Sequence, residues 1–345
     1  MPRVLAIFDG HNDALTRDDH GDIATGRPDG HLDLPRMRAA GLRGGIFAIH
    51  TSSPGPKAPP VQREDGAFES EPPPVDHVVA AAHATETAGR LLALDRSGDL
   101  RVARATADLD ETRANRDGPP LAVMHLEGAE AVDTNLDALD LWYAGGLRSL
   151  GPVWSRPNAF GRGVPFAFPS SPDIGDGLTR AGLALVSKCA ELGILVDASH
   201  LNEAGFWDLA RLELGPLVAT HSGAHALCAA SRNLTDRQLD AIGASGGLVG
   251  IVFACPFLRP DFGDDPDTPL TPIVEHARYV ADRIGIEHVA LGSDFDGAKI
   301  PRELGGVEGL PKLVAAFRDA GFGEAELEAI AWDNWRRVFG AWWRD

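Results

Sequence analysis

Five residues of the types that bind metal ions are spread along this chain of 345 residues: His11, Asp13, Glu127, His200 and His221. His11 and Asp13 stand two residues apart, and side chains two apart in a strand point to the same face. An imidazole and a carboxylate on one face make half of a zinc site. Taken alone, each residue is better explained by a structural role, such as a helix cap or a hydrogen-bonded histidine. Their convergence on one place is what predicts a metal centre.

A set of five ligands fits two metal ions better than one. One carboxylate can bridge both ions, and imidazole favours zinc among the common divalent metals. Two cations that share a bridging oxygen convert water into hydroxide near neutral pH. Asp294 then serves as an additional carboxylate that takes the proton from the attacking water and passes it to the leaving group. The alternatives for Asp294 are a sixth metal ligand and a purely structural acid.

Other acids and histidines near the same positions are rival candidates. Two carboxylates lie two residues from His11 and from Asp294, one imidazole lies two residues before Glu127, and another histidine ends the second predicted strand. These four rivals are Asp9, Asp296, His125 and His50. His225 follows His221 by four residues and is expected on a helix, as a surface or packing residue.

Arg232 and Asn233 lie in a polar segment that we expect to follow the helix after His221. A guanidinium near a pair of dications suits a substrate carboxylate, which it can bind through two parallel hydrogen bonds. The alternative is a surface ion pair. The three cysteines have no CxxC spacing, so we expect reduced and mostly buried thiols.

The elements that must position these residues alternate along the chain between short apolar runs and helical patterns. The apolar runs predict eight strands at residues 4–8, 45–49, 121–126, 147–153, 194–198, 217–220, 247–253 and 289–292. The helical patterns cover residues 75–94, 178–192, 203–212, 235–244, 271–284, 309–320 and 324–343. Such alternation predicts parallel strands in a closed (β/α)8 TIM-like barrel, with the metal site at the C-terminal ends of the strands. The alternative, an open parallel sheet, predicts a glycine-rich phosphate loop after the first strand, and the sequence has no such loop there.

Charge and hydropathy exclude several classes of function. Lys and Arg number 32 against 50 Asp and Glu, a formal charge of −18, which repels nucleic-acid backbones and anionic membrane surfaces. No apolar run has the length of a membrane helix or a signal peptide, so we expect a cytoplasmic protein.

Residues 52–74 and 156–177 are predicted loops but not domain boundaries, so residues 1–345 form one predicted domain. We expect a small substrate as the partner, and a homodimer is left open.

Several motifs, in family order over essentially the whole chain, resemble those of the renal (membrane) dipeptidase family, peptidase family M19, a branch of the metal-dependent amidohydrolases. They are Asp9-Gly10-His11-Asn12-Asp13, His31-Leu32-Asp33-Leu34-Pro35-Arg36-Met37, Leu126-Glu127-Gly128, Asp197-Ala198-Ser199-His200, His221-Ser222, Ser231-Arg232-Asn233, Gly292-Ser293-Asp294-Phe295-Asp296-Gly297 and Asn334-Trp335-Arg336-Arg337-Val338-Phe339. The resemblance implies a (β/α)8 barrel with two Zn²⁺ ions. His11 and Asp13 would bind one ion, His200 and His221 the other, and Glu127 would bridge them.

The resemblance also implies an enzyme that hydrolyses dipeptides, often with a D-residue tolerated at the C-terminal side. A metal-bridging hydroxide would attack the amide carbonyl, with Asp294 handling the proton. Arg232, with Asn233 beside it, would hold the C-terminal carboxylate. The alternatives are a hydrolase of another small carboxylate-bearing amide and a metal-bound barrel without turnover, kept for binding.

Trp154 departs from the family pattern. Better-known members carry a histidine at this place, at the end of the fourth strand, where it is thought to polarise the scissile carbonyl. An indole offers a single N–H donor, so we expect a substrate contact with altered specificity. Arg156 and Arg162 are candidates to supply the missing donor.

Overall fold

The computed structural model describes residues 5–55 and 59–344, and its main feature is a curled arrangement of parallel strands. In chain order the strands are β1 Ile7–Asn12, β2 Leu42–His50, β3 Val61–Gln62, β4 Phe68–Ser70, β5 Arg101–Val102, β6 Leu121–Glu127, β7 Leu147–Gly151, β8 Phe166–Phe168, β9 Leu195–Val196, β10 Val218–Ser222, β11 Leu248–Ile251 and β12 Val289–Leu291. A small antiparallel sheet of β3, β4 and β8 lies apart from the parallel strands. One parallel sheet has the order β1-β2-β6-β7-β9 with β5 against β6, and a second has the order β10-β11-β12.

Helices pack around these strands and separate most of them along the chain. They are α1 Leu34–Ala40, α2 His77–Ser97, α3 Thr106–Ala114, α4 Asp137–Gly145, α5 Arg180–Leu192, α6 Glu203–Leu212, α7 Asp236–Ala244, α8 Cys255–Leu258, α9 Thr271–Ile284, α10 Leu310–Asp319, α11 Glu324–Glu328 and α12 Asn334–Trp342. Every residue of β6 is buried, as expected for a parallel strand covered on both faces. The helices also begin and end at clear signals: in α1, the Asp33 side chain accepts from Arg36 N at 2.9 Å, and Gly41 ends the helix at φ 82°.

The predicted α/β class and parallel pairing are confirmed. The hydrogen-bonded ladders are continuous within two parallel sheets, and single bridges join them at two places: Asp197 with Val218, and Asn12 with Phe295. No helix within the described ranges combines the length and apolar character that crossing a bilayer requires. The three cysteines, Cys189, Cys228 and Cys255, are buried and unpaired, as predicted.

Several sequence-based boundaries are wrong. The first strand, predicted at residues 4–8, is Ile7–Asn12, so His11 lies within it; Val4 lies outside the described residues. Polar side chains that face the site hide the end of this strand from a search for apolar runs. The predicted loops 52–74 (of which 56–58 lie outside the described residues) and 156–177 contain β3, β4 and β8, which pair antiparallel in the order β3-β4-β8.

The predicted helix after His221 is also wrong. The segment from residue 223 to 235 is irregular, and His225 Nε2 lies 3.0 Å from the backbone oxygen of Ser170. The next helix, α7, begins only at Asp236. The single helix predicted at residues 324–343 is divided into α11, a π-helical turn at Ala329–Asp333 and α12.

Candidate active site

Glu127, the last residue of β6, lies at the centre of a group of imidazoles. Its Oε1 is 2.9 Å from His200 Nε2, 3.5 Å from His11 Nε2 and 3.6 Å from His221 Nε2. The other carboxylate oxygen, Oε2, is 3.3 Å from His50 Nδ1. The ends of β1, β2, β6 and β10, together with the segment after β9, bring these side chains together. The carboxylate therefore has the surroundings that a bridging ligand would need.

Asp13 and Asp294 lie on the side of this group where His11 stands. Asp13 Oδ2 is 3.5 Å from His11 Nε2, and ligand atoms of His11, Asp13 and Asp294 all lie within 4.8 Å of one another. A Cβ at Gly297 would lie 2.2 Å from Asp13 Oδ2 and 2.3 Å from Asp294 Oδ1, so any other residue there would displace these carboxylates. The backbone of Asp294 is left-handed, at φ 62°, and its N–H donates to His11 O at 3.0 Å. The turn at residues 294–297 therefore holds the carboxylates of Asp13 and Asp294 close together.

The donor set fits divalent cations. Neither ring nitrogen of His11 has a hydrogen-bond partner in the described part of the chain, although the residue is fully buried. The Nε2 atoms of His200 and His221 face each other at 3.1 Å. Buried polar atoms normally have partners, and imidazole nitrogens that converge with carboxylate oxygens are the ligand types of zinc sites. These residues could therefore hold a metal ion.

The protonation of the histidines is unequal. Burial lowers the pKa of His200 to about 3 and also lowers that of His221, so both present the neutral imidazole that binds a cation. Burial would lower the pKa of His11 too, but the negative charges of Glu127 and Asp13 raise it to about 10. Burial raises the pKa of Asp294 well above its usual range. A cation bound by His11 would therefore have to displace the proton of that imidazole.

Hydroxyl groups behind two of the imidazoles set their orientation, and sequence reasoning missed them. Thr220 Oγ1 donates to Asp197 Oδ2 at 2.7 Å and lies 2.9 Å from His221 Nδ1. Because its single proton goes to the carboxylate, Thr220 must accept from Nδ1–H, which leaves the lone pair of His221 on Nε2. Ser155 Oγ lies 2.8 Å from His200 Nδ1. The only sequence signal was a hydroxyl directly before His221.

Asp9 and Asp296, the two other candidate carboxylates, form hydrogen bonds away from the residues around Glu127. Asp9 accepts from Ser293 N at 2.7 Å and from Ser293 Oγ at 2.8 Å, so it ties β1 to the segment after β12. Asp296 accepts from His31 N at 2.7 Å and from Arg27 at 3.4 Å. Both acids therefore hold the backbone that carries the site.

His125 lies behind His11 rather than beside Glu127. Its Nδ1 is 2.9 Å from Ser149 Oγ, and its Nε2 is 3.8 Å from Asp197 Oδ2. Together with His11 and Asp197 it forms a second buried group of ligand-type side chains.

Arg232 is 3% exposed, so it is not the surface ion pair that was its alternative. Its guanidinium donates to the backbone oxygens of Ser199 and, at 3.1 Å, His221, and lies 5.6 Å from the ring centroid of Phe257. Over residues 5–55 and 59–344 it forms no ion pair, and its Nε is buried without a hydrogen-bond partner. Burial lowers its pKa to about 10, where it is still charged at neutral pH. This buried cation thus has no directly paired carboxylate, although the negative charges of Asp294, Asp197 and Glu127 act on it.

Asn233 fastens the loop that carries Arg232. Its Oδ1 accepts from Gly223 N at 3.1 Å, and its Nδ2 donates to Cys228 O at 3.0 Å and Phe257 O at 2.8 Å. Both amide protons are used by the backbone.

Trp154 follows β7 and stands beside the histidines. Its ring lies 4.6 Å from that of His50 and 5.7 Å from that of His200. The two arginines proposed as replacement donors are paired elsewhere: Arg156 with Glu130 at 2.7 Å, and Arg162 with Glu71 at 2.8 Å. An indole therefore stands where the resemblance expects an imidazole.

Comparisons with known proteins identify the family of this chain. The family model described as membrane dipeptidase (peptidase family M19) matches residues 2–342. The chain is similar to a metallo peptidase from Rhodobacter sphaeroides, whose crystal structure contains a phosphinate mimic of the dipeptide L-Ala-D-Ala. That likeness has 45% identity and a TM-score of 0.91, and covers 99% of this chain and 100% of the other.

Two sequence relatives add to this. The chain is 48% identical to a Klebsiella pneumoniae protein, "Uncharacterized protein in pqqA 5'region", over 72% of this chain and 91% of the relative. It is 28% identical to dipeptidase tcpJ of Claviceps purpurea, over 90% of this chain and 68% of the relative. With a family model matching almost its whole length, the chain belongs to the membrane dipeptidase family, peptidase family M19, and is an enzyme of the metallo-dipeptidase type.

Proposed function

We propose that this enzyme hydrolyses dipeptides with two zinc ions. His11 and Asp13 would hold one ion, His200 and His221 the other, and Glu127 would bridge them. The observation that carries the proposal is the position of Glu127 Oε1, within 3.6 Å of three imidazole nitrogens from three different segments. Bound cations would supply Lewis acidity and lower the pKa of a water molecule.

Asp294 is the residue that moves the proton. It lies within reach of Asp13 and His11, and burial keeps its pKa well above that of an ordinary aspartate. A carboxylate with a raised pKa can accept the proton of the attacking water and return it to the amide nitrogen as the C–N bond breaks. The products are then two free amino acids.

Arg232 binds the C-terminal carboxylate of the dipeptide. A buried charge without a partner costs several kcal/mol, and a substrate carboxylate would offset that cost. Only some of the five guanidinium N–H groups are used by the backbone oxygens of Ser199 and His221, so donors remain. Asn233 supports this role by holding the loop rather than by touching the substrate.

Two finer features belong to the same proposal. We infer that the two parallel sheets act as one closed eight-stranded barrel, because bridges join Asp197 to Val218 and Asn12 to Phe295. We also propose that a D-residue is accepted at the C-terminal side, since the Rhodobacter sphaeroides relative holds a mimic of L-Ala-D-Ala.

A second candidate is hydrolysis of another small carboxylate-bearing amide, which the presence of Trp154 favours. The test of both is zinc loading followed by elemental analysis and a screen of L,L and L,D dipeptides with their C-terminal amides. We expect about two zinc ions per chain and turnover of free dipeptides. A zinc-loaded protein that cleaves other carboxylate-bearing amides but no dipeptide would support the second candidate, and one that cleaves neither would overturn both.

A further inference from the structure

A row of aromatic rings connects the histidines of the site with Arg232. Trp154 lies 5.7 Å from the His200 ring, and Phe166 lies 5.5 Å from Trp154. Phe257 stacks on Phe166 at 6.2 Å, and the guanidinium of Arg232 lies over Phe257. The rings of Trp154, Phe166 and Phe257, here called the aromatic wall, therefore form an unbroken row between the His200 imidazole and the Arg232 guanidinium.

The wall is fixed to the segment that carries Arg232. Ala167, in the middle of β8, accepts from Ser231 N at 3.0 Å and donates to Ser231 Oγ at 2.9 Å. Phe166 and Phe168 flank Ala167, so both project to the opposite face of β8. There they pack on a small apolar core that includes Phe257 and lies apart from the main core. Movement of the wall relative to Arg232 is thereby restricted.

The wall presents an apolar surface close to charged groups. Trp154 and Phe166 are only half-buried. Arg156, whose guanidinium lies 5.1 Å from the Trp154 ring, is neutralised by its buried ion pair with Glu130. Half-buried aromatic rings beside a site are surfaces that an apolar ligand group can cover.

We propose that the aromatic wall binds the side chain of the substrate's C-terminal residue, so that the enzyme prefers dipeptides with a large apolar C-terminal residue. The inference rests on the proposed function. In a dipeptide, the C-terminal residue lies between the scissile amide and the free carboxylate. With the amide at the histidines and the carboxylate at Arg232, that side chain lies along the wall that joins them.

The test compares kcat/KM of the zinc-loaded enzyme on Ala-Gly, Ala-Ala, Ala-Leu and Ala-Phe with the reversed series Gly-Ala, Leu-Ala and Phe-Ala. We expect Ala-Phe to exceed Ala-Gly by about tenfold or more, since a pocket gains roughly this factor from a few apolar groups. Phe166→Ala and Trp154→Ala should bring the Ala-Phe to Ala-Gly ratio near one. Binding of free phenylalanine and of glycine, measured by calorimetry, should lose its difference in the same variants.

Phe168→Ala is the matched control. Phe168 comes from the same strand and packs on the same small core, but its ring stacks on Phe262 at 5.0 Å, outside the aromatic wall. This variant should keep the wild-type ratio. If Phe166→Ala does not fold, Phe166→Leu should give an intermediate ratio.

Three outcomes distinguish failure of the aromatic-wall inference from failure of the proposed dipeptidase function. An unchanged ratio in both wall variants, or a wild type that prefers Ala-Gly, would overturn the inference and leave the dipeptidase proposal intact. A change confined to the reversed series would assign the wall to the N-terminal residue and would equally overturn it. Absence of any dipeptide turnover by the zinc-loaded wild type would instead overturn the proposed function.

Discussion

Replacing Thr220 by valine tests whether the hydrogen bonds behind the imidazoles matter for cation binding. Thr220 is fully buried, and valine has the same shape without the hydroxyl group. The substitution removes the 2.7 Å bond to Asp197 and the 2.9 Å bond from His221 Nδ1. It leaves a buried N–H without an acceptor and frees the imidazole to change tautomer.

The expected magnitudes follow from these two bonds. A hydrogen bond to a charged group contributes about 1.5–3 kcal/mol, and an unsatisfied buried donor costs about 1–3 kcal/mol. Asp197 retains Ser199 Oγ at 2.6 Å and the N–H of residue 220 at 2.9 Å, so the lower ends of both ranges apply and the loss of unfolding free energy is about 2.5 kcal/mol. Loss of a group that orients a metal ligand weakens cation binding by about 10- to 100-fold.

The assay measures zinc affinity by competition with a chelator, and unfolding of the metal-free protein in urea. Thr87→Val is the control, because Thr87 is also fully buried and its Oγ1 has no hydrogen-bond partner among the described residues. That variant should keep the wild-type zinc affinity and lose no stability. If Thr220→Val loses stability but binds zinc like the wild type, the hydroxyl group is structural only and the tautomer argument is refuted.

Three further substitutions test the site. Glu127→Gln should weaken both cation positions together, so that elemental analysis after zinc loading finds fewer than about one ion per chain; loss of a single ion would contradict the bridge. Arg232→Met should lower kcat/KM on free dipeptides by about 10²-fold, the cost of leaving one charge of a buried pair alone, and C-terminal amides should already be poor wild-type substrates. Equal wild-type turnover of free and amidated dipeptides would count against this role. Trp154→His should speed cleavage of Ala-Gly, by up to about 10²-fold if it restores an oxyanion donor, and should reduce the preference for Ala-Phe; a variant that is only slower would show that Trp154 does not mark a changed substrate.

The parts of the fold with strong local signals were predictable from the sequence. The helices Glu203–Leu212 and Thr271–Ile284 have the predicted boundaries. At the first of these, the Asn202 side chain caps the helix by accepting from Gly205 N at 2.8 Å. The C-terminal ends of the buried strands β2 and β6 were predicted to within one residue, although β2 begins three residues earlier than predicted, and these ends place His50 and Glu127 at one edge of the sheet.

Other parts depend on contacts between distant residues. β3, β4 and β8 have only two or three residues each, too few for a periodic pattern, and they exist because Phe68 pairs with Phe168 a hundred residues later. The aromatic wall was therefore outside the reach of a sequence argument. Gly297 is another case, because its need for glycine arises from the carboxylates of Asp13 and Asp294, which only the folded chain brings together.

Arg232 has a part in both substrate binding and cation binding in the proposed function. The guanidinium that would hold the substrate carboxylate also donates to the backbone oxygens of Ser199 and His221, next to the two imidazoles of one cation position. A planar guanidinium can serve several acceptors at once, whereas an ammonium group is a point charge on a flexible chain. Its positive charge also helps to lower the pKa of His200 and His221, which favours the neutral form that binds a cation. On this proposal, substrate anchoring and preparation of the metal ligands both depend on one buried charge, which accounts for a buried guanidinium that has no directly paired carboxylate.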